Sequence, residues 1–104
     1  MKAIIDGKRY DTETAELVAS WSNHHYRSDF HWCAETLYRT IKGAWFLDGE
    51  GGALSKYSIP VGDNGRGGSG RITPLTEEQA RAWLEERQEL QALEDWFPDE
   101  VEDA

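Results

Sequence analysis

Thr36-Leu37-Tyr38-Arg39-Thr40, then Ile41-Lys42-Gly43, then Ala44-Trp45-Phe46-Leu47 is the stretch on which the fold turns. Leu37, Tyr38, Trp45 and Phe46 belong to residue types that suit a pleated, half-buried surface. Between the two runs, Ile41-Lys42-Gly43 has the length and the glycine of a hairpin connection. The spacing predicts two antiparallel strands at the centre of a sheet, with Trp45 buried.

Working back from the hairpin, Ser22–Trp32 is polar, with His24, His25, Arg27, Ser28 and Asp29, and reads as a loop. Ala15, Leu17, Ala19 and Trp21 share one parity, opposed by Glu16, Val18 and Ser20, which is the period of a strand. A short helix is the alternative, because Ala, Glu and Leu are good helix formers. Met1–Tyr10 reads as a short hairpin about Asp6-Gly7. Forward of the central hairpin, Asp48-Gly49-Glu50-Gly51-Gly52 reads as a sharp turn and Leu54–Ile59 as a further strand stopped by Pro60. Val61–Gly70, with five glycines in ten positions, reads as a flexible loop. Arg71-Ile72-Thr73 reads as a short edge strand.

Pro74-Leu75-Thr76 opens a helical segment. Thr76 is the expected N-cap and Gln79, three positions on, completes a capping box. Glu77 and Glu78 suit the positive end of the helix dipole. Ala80, Trp83, Leu84 and Arg87 share one face; Leu90, Leu93 and Phe97 continue the apolar pattern after a phase shift. Two helices follow, at about 77–87 and 89–96, with a bend between them and Pro98 ending the second. The expected fold class is α+β: an antiparallel, mostly meander sheet with the C-terminal helices packed on one face. Residues 1–98 form one domain and 99–104 a disordered acidic tail.

A chain of 104 residues has room for one such domain and a modest core. Five tryptophans, four tyrosines and three phenylalanines make that core depend on a few large rings. Such rings also serve as binding anchors. Cys33 is the single cysteine, so no internal disulfide forms, which suits a reducing compartment. Lys2 and Asp6 interrupt the start of the chain, and no run of about 18 apolar residues occurs. The expectation is a soluble, cytoplasmic protein.

The net charge of −9 is unevenly spread. Residues 1–76 carry nine basic and nine acidic side chains, whereas in residues 77–104 only Arg81 and Arg87 face eleven acids. That segment disfavours direct contact with nucleic acid or an anionic membrane. It favours a basic protein surface as partner, and the plain alternative is a solubilising helix face with a frayed tail. Glu77, Glu78, Glu85, Glu86, Glu89, Glu94 and Asp95 are the candidate partner-binding residues.

Gly65-Arg66-Gly67-Gly68-Ser69-Gly70 matches the letters of a dinucleotide fingerprint. That fingerprint needs a helix N-terminus directly after it, and here the helix begins about six residues too late. No cofactor is therefore expected. His24, His25, His31 and Cys33 are zinc-ligand types within ten residues, but their spacing fits no common zinc module, and no metal is expected. His31 and Cys33 share a face if their stretch is extended, which leaves a small metal-dependent or hydrolytic enzyme as one alternative. No catalytic residue is assigned. The pairs Glu77-Glu78 and Glu85-Glu86 fall on a solvated helix face, a poor setting for acid–base chemistry.

Several stretches carry a resemblance: Ser20-Trp21-Ser22-Asn23, Glu35 to Thr40, Lys42 to Leu47, Gly49 to Ala53, Ser55-Lys56-Tyr57 and Arg71 to Glu78. Together they resemble small acidic proteins carried by bacterial phages, plasmids and integrative elements, over roughly residues 4–97. The resemblance brings no enzymatic activity and no site residues with it. It implies a role in the bacterial host cell, with anti-CRISPR proteins as a prominent class of short, often acidic inhibitors that block a basic nucleic-acid channel. The resulting expectation is a non-enzymatic inhibitor whose acidic helices meet a basic protein surface, such as a subunit of a CRISPR–Cas effector. A structural or accessory mobile-element protein, self-assembling through an aromatic sheet face, is the other alternative.

Overall fold

The computed structural model describes every residue from Met1 to Ala104. Eight strands precede two helices: β1 (Lys2–Ile5), β2 (Lys8–Asp11), β3 (Glu16–Ser22), β4 (Cys33–Arg39), β5 (Trp45–Gly51), β6 (Ile59–Val61), β7 (Gly65–Gly67), β8 (Ser69–Leu75), α1 (Glu77–Glu86) and α2 (Leu90–Trp96). The main sheet is four-stranded and antiparallel in the order β3-β4-β5-β8. It is a meander with one excursion, since β6 and β7 form a separate small hairpin between β5 and β8. The fold is α+β, with the C-terminal helices on one face.

The hairpin about Lys42-Gly43 supplies the two central strands, as its residue types require. Leu37 on β4 and Trp45 and Leu47 on β5 point to the helix side. There they join Ala80, Trp83, Leu84, Ala92, Leu93 and Phe97 in the main core. Trp45 is 4 % exposed and stacks on Phe97 at 5.2 Å between ring centres. On the other face, Phe46 and Ile72 are covered by Tyr10 from the β1–β2 hairpin, which closes a second, smaller core.

The capping box is present: the Thr76 hydroxyl accepts from the Gln79 N–H at 3.1 Å, and Gln79 Oε1 accepts from the Thr76 N–H at 2.8 Å. The bend after α1 falls at Gln88, whose φ is 53°.

Several expectations need correction. First, Asp48–Gly52 is no sharp turn, because β5 runs on through Gly51, its glycines standing where other side chains press against the strand. Second, Leu54–Ser58 is a series of turns, and Pro60 lies inside β6 opposite Arg66 instead of ending a strand; an isolated edge strand tolerates a proline that donates no bond. Third, Val61–Gly70 is not an open loop, since it holds β7 and the start of β8 and turns at Gly62, whose φ is +66°. Fourth, the alternation along β3 breaks at a bulge at Val18: Ala19 and Trp21 reach the main core while Leu17 is 55 % exposed. Similarly, Leu90 is exposed and Ala92 takes the buried place at the start of α2. The last residues are not wholly irregular, because Pro98–Glu100 forms one 3₁₀ turn. No helix is long and apolar enough to cross a membrane.

Candidate functional site

Cys33, Glu35 and Leu37 share a parity on β4, and all three are buried. The middle member is a carboxylate with no exposed side-chain surface. A charge in that position is costly unless it is paired and hydrogen-bonded, and the fold supplies four donors from two separate segments. From the turn at 52–58, Lys56 Nζ lies 2.6 Å from Glu35 Oε2 and the Tyr57 hydroxyl donates to the same oxygen at 2.5 Å. From α1 and the residue that caps its C-terminus, Trp83 Nε1 donates to Oε1 at 3.0 Å and Arg87 Nη2 at 2.8 Å.

Each donor has a local reason to be there. Gly49 pairs with Glu35 across the β4–β5 ladder, and any Cβ at 49 would overlap the Tyr57 ring and hydroxyl. The Ser55 hydroxyl donates to the Gly52 carbonyl at 2.8 Å and accepts from the Tyr57 N–H at 3.2 Å, which shapes the turn carrying Lys56 and Tyr57. The Ser69 hydroxyl donates to the Tyr57 carbonyl and ties that turn to β8. Arg87 lies between the Trp21 and Trp83 rings, 4.6 and 4.5 Å from their centres, so its guanidinium is held in place before it meets the carboxylate.

Burial pushes the Glu35 carboxyl up, but the hydrogen bonds from Lys56, Tyr57 and Trp83 outweigh it and hold the group below its ordinary value. Burial and donation to Glu35 raise the Tyr57 hydroxyl well above the usual tyrosine range. The cluster is therefore an ionised carboxylate with its oxygens already occupied. Of its members only Arg87 reaches one of the larger concavities, beside Trp21 and Ala34; Glu35, Lys56, Tyr57 and Trp83 line none. Its chemistry is that of a fastening between α1, the sheet and the 52–58 turn.

The outer side of the helices is the opposite kind of surface. Glu77, Glu78, Glu85, Glu86, Glu94 and Asp95 are exposed, and Glu89 is half-buried at the bend. Arg81 pairs with Glu85 at 3.5 Å. Arg87, the other cation of the segment, has only 13 % of its side chain exposed because it turns inward to Glu35, touching Glu86 at 3.5 Å on the way. Six of the seven expected acidic residues are thus exposed on the two helices, Glu89 sits at the bend beside Arg87, and half of the positive charge that accompanied them is withdrawn.

No family model, curated protein or solved structure matches this chain.

The structure does not join the histidines and the cysteine. His24, His25 and His31 are exposed in the 22–32 loop, with His25 and His31 rings 6.0 Å apart. Cys33 is buried, and burial together with the Glu35 charge pushes its thiol up, away from the thiolate a nucleophile needs. No group of three or more His, Cys, Asp or Glu is placed to hold a metal ion. Arg66, in the G-x-G-x-x-G stretch, is held by hydrogen bonds to the Ser58 hydroxyl at 2.8 and 2.9 Å.

Sequence reasoning missed Glu35 as a centre, although two signals were present. Glu35 interrupts the apolar parity of β4, and Arg87 shares the buried face of α1 with Ala80, Trp83 and Leu84. A cation on a buried face calls for an internal acid.

Proposed function

We infer that this protein is a non-enzymatic binding protein of a bacterial mobile element, and that it presents the outer surface of α1 and α2 to a basic groove on a host protein complex. The observation that carries the reading is the inward turn of Arg87. With that cation on Glu35, the exposed carboxylates of Glu77, Glu78, Glu94 and Asp95 stand on a surface whose only outward cation is Arg81, itself paired with Glu85. Such a surface attracts lysine- and arginine-rich grooves and steers their approach. The resemblance to proteins of phages and plasmids makes a nucleic-acid channel of a CRISPR–Cas effector the specific target, with the protein acting as an inhibitor in the host cytoplasm.

The test is inhibition of, and binding to, purified effector complexes across a salt series. Binding by the wild-type protein is expected to weaken steeply with salt. A variant with Glu85, Glu86, Glu89 and Glu94 all changed to Gln keeps size and helix propensity and is expected to lose most of its affinity. Full inhibition by that variant, folded and insensitive to salt, would overturn the reading.

A further inference from the structure

On the sheet face away from the helices, the β1–β2 turn and the β4–β5 turn lie side by side and enclose a cleft of about 470 Å³. Lys8, Arg9 and Lys42 line it, with Tyr10 and Thr40 between them. None of these three cations has a carboxylate within 4.0 Å; the lysines and arginines that do are Arg27, Lys56, Arg81 and Arg87. Residues 1–76 balance nine basic against nine acidic side chains, so three unneutralised cations on one concavity make a local excess of positive charge.

A second observation points the same way. Tyr10 is 7 % exposed, and its ring is fixed edge-on against Phe46 at 5.5 Å. Its hydroxyl is not sealed in the core and makes no hydrogen bond within the chain, and Tyr10 is one of the residues that line the cleft. A hydroxyl with no partner in the chain is free to donate to a group that enters the cleft. The scaffold is firm: the tight turn at Asp6 and Gly7, with φ of 52° and 77°, holds Lys8 and Arg9, while Gly43 at φ 90° positions the turn bearing Lys42.

We propose that this cleft binds the phosphate group of a small phosphorylated ligand. Lys8, Arg9 and Lys42 neutralise the anion, and the Tyr10 hydroxyl donates to one of its oxygens. A phosphate dianion offers three strong acceptor oxygens and about two charges at one point. That matches three cations drawn from two turns better than the single charge of a carboxylate. An acidic protein segment would instead need cations spread along a face. The site lies across the sheet from the acidic helices and does not depend on their role.

The experiment is calorimetric titration of the full chain with sodium pyrophosphate at constant ionic strength, with adenosine monophosphate and adenosine as a second pair of probes. Saturable one-to-one binding with a Kd of about 1 mM or tighter is expected, with the monophosphate binding and the nucleoside not. Lys42→Gln and Lys8→Gln should each weaken pyrophosphate roughly fivefold or more, and Tyr10→Phe, which keeps the ring, roughly two- to tenfold. Lys2→Gln, outside the cleft, should change nothing. Lys8 and Lys42 are exposed, so their variants keep the proposal testable even if Tyr10→Phe unfolds. A titration without saturation, or an equal loss in Lys2→Gln, would overturn the site. Tighter binding of a polyglutamate peptide, or of a single-stranded oligonucleotide at equal phosphate concentration, through the same residues would overturn the small phosphorylated ligand.

Discussion

One carboxylate lies beneath α1, and seven lie above or around it. Glu35, inside, has two cations, a hydroxyl and an indole on its two oxygens. Glu77, Glu78, Glu85, Glu86, Glu89, Glu94 and Asp95, outside, share one outward cation and the edge of another. The difference shows how desolvation sorts charge. Within the core an unmatched carboxylate costs several kcal/mol, so the fold gathers partners for it from distant parts of the chain. At the surface water does the matching, and an excess of one sign persists as a field that reaches outward. Arg87 belongs to both regions, and by serving the inner one it strengthens the outer.

The contrast makes the inner charge the sensitive one. Glu35→Ala leaves the Arg87 guanidinium and the Trp83 and Tyr57 donors buried without their acceptor. Chemical denaturation should show a loss of about 3–5 kcal/mol; a loss no larger than for an exposed acid would break the comparison. Glu35→Gln sharpens it through pH. The folded carboxyl is held below its ordinary value of 4.5, so its contribution is present above that value and lost as pH falls through the folded value. The deficit of Glu35→Gln relative to wild type should therefore be full at neutral pH and narrow as the solution is acidified below about 4.5. A deficit constant with pH would show that Glu35 is not ionised in the folded protein.

Tyr57→Phe removes one of four donors while keeping the ring over Gly49. One charge-assisted hydrogen bond is at stake, so the expected cost is about 1.5–3 kcal/mol in the same assay. The smallest effect belongs to the outer surface. Changing Glu85, Glu86, Glu89 and Glu94 together to Gln relieves repulsion at the expense of the Arg81–Glu85 pair, and like charges on a helix are mildly destabilising. The melting temperature should stay the same or rise slightly while binding to a basic partner falls. A large drop in melting temperature would place these acids in the stability of the fold and end the division between inner and outer charge.

Legibility followed the range of the interactions. The β4–β5 hairpin, the capping box at Thr76 and the bend between the helices were all open to reading, because each depends on residues within a few positions of one another; Trp45 could be read as buried because a large ring on a central strand needs cover, although what covers it, Phe97, could not. The glycine-rich stretches misled for a specific reason. A glycine marks a turn when its backbone needs a positive φ, as at Gly62, but it equally marks a place where another group lies flat on a strand. Gly49 is of the second kind, and the Tyr57 that lies on it comes from the turn after β5, a placement that no local pattern announces. The bulge at Val18 was hidden for a similar reason, since only pairing with β4 reveals that one residue of β3 has no opposite number.

The segregation of charge into the last quarter of the chain is a property of the sequence alone, as are the strand and helix periods and the caps that place the acids on helices. They rest on composition and on contacts between near neighbours. Which acid would be buried, which arginine would leave the surface to meet it, and which cations would be left without a carboxylate were decided by tertiary structure. Those outcomes depend on distances between residues as far apart as Glu35 and Arg87. Such distances exist only once sheet, turn and helix have packed and water has been excluded from between them.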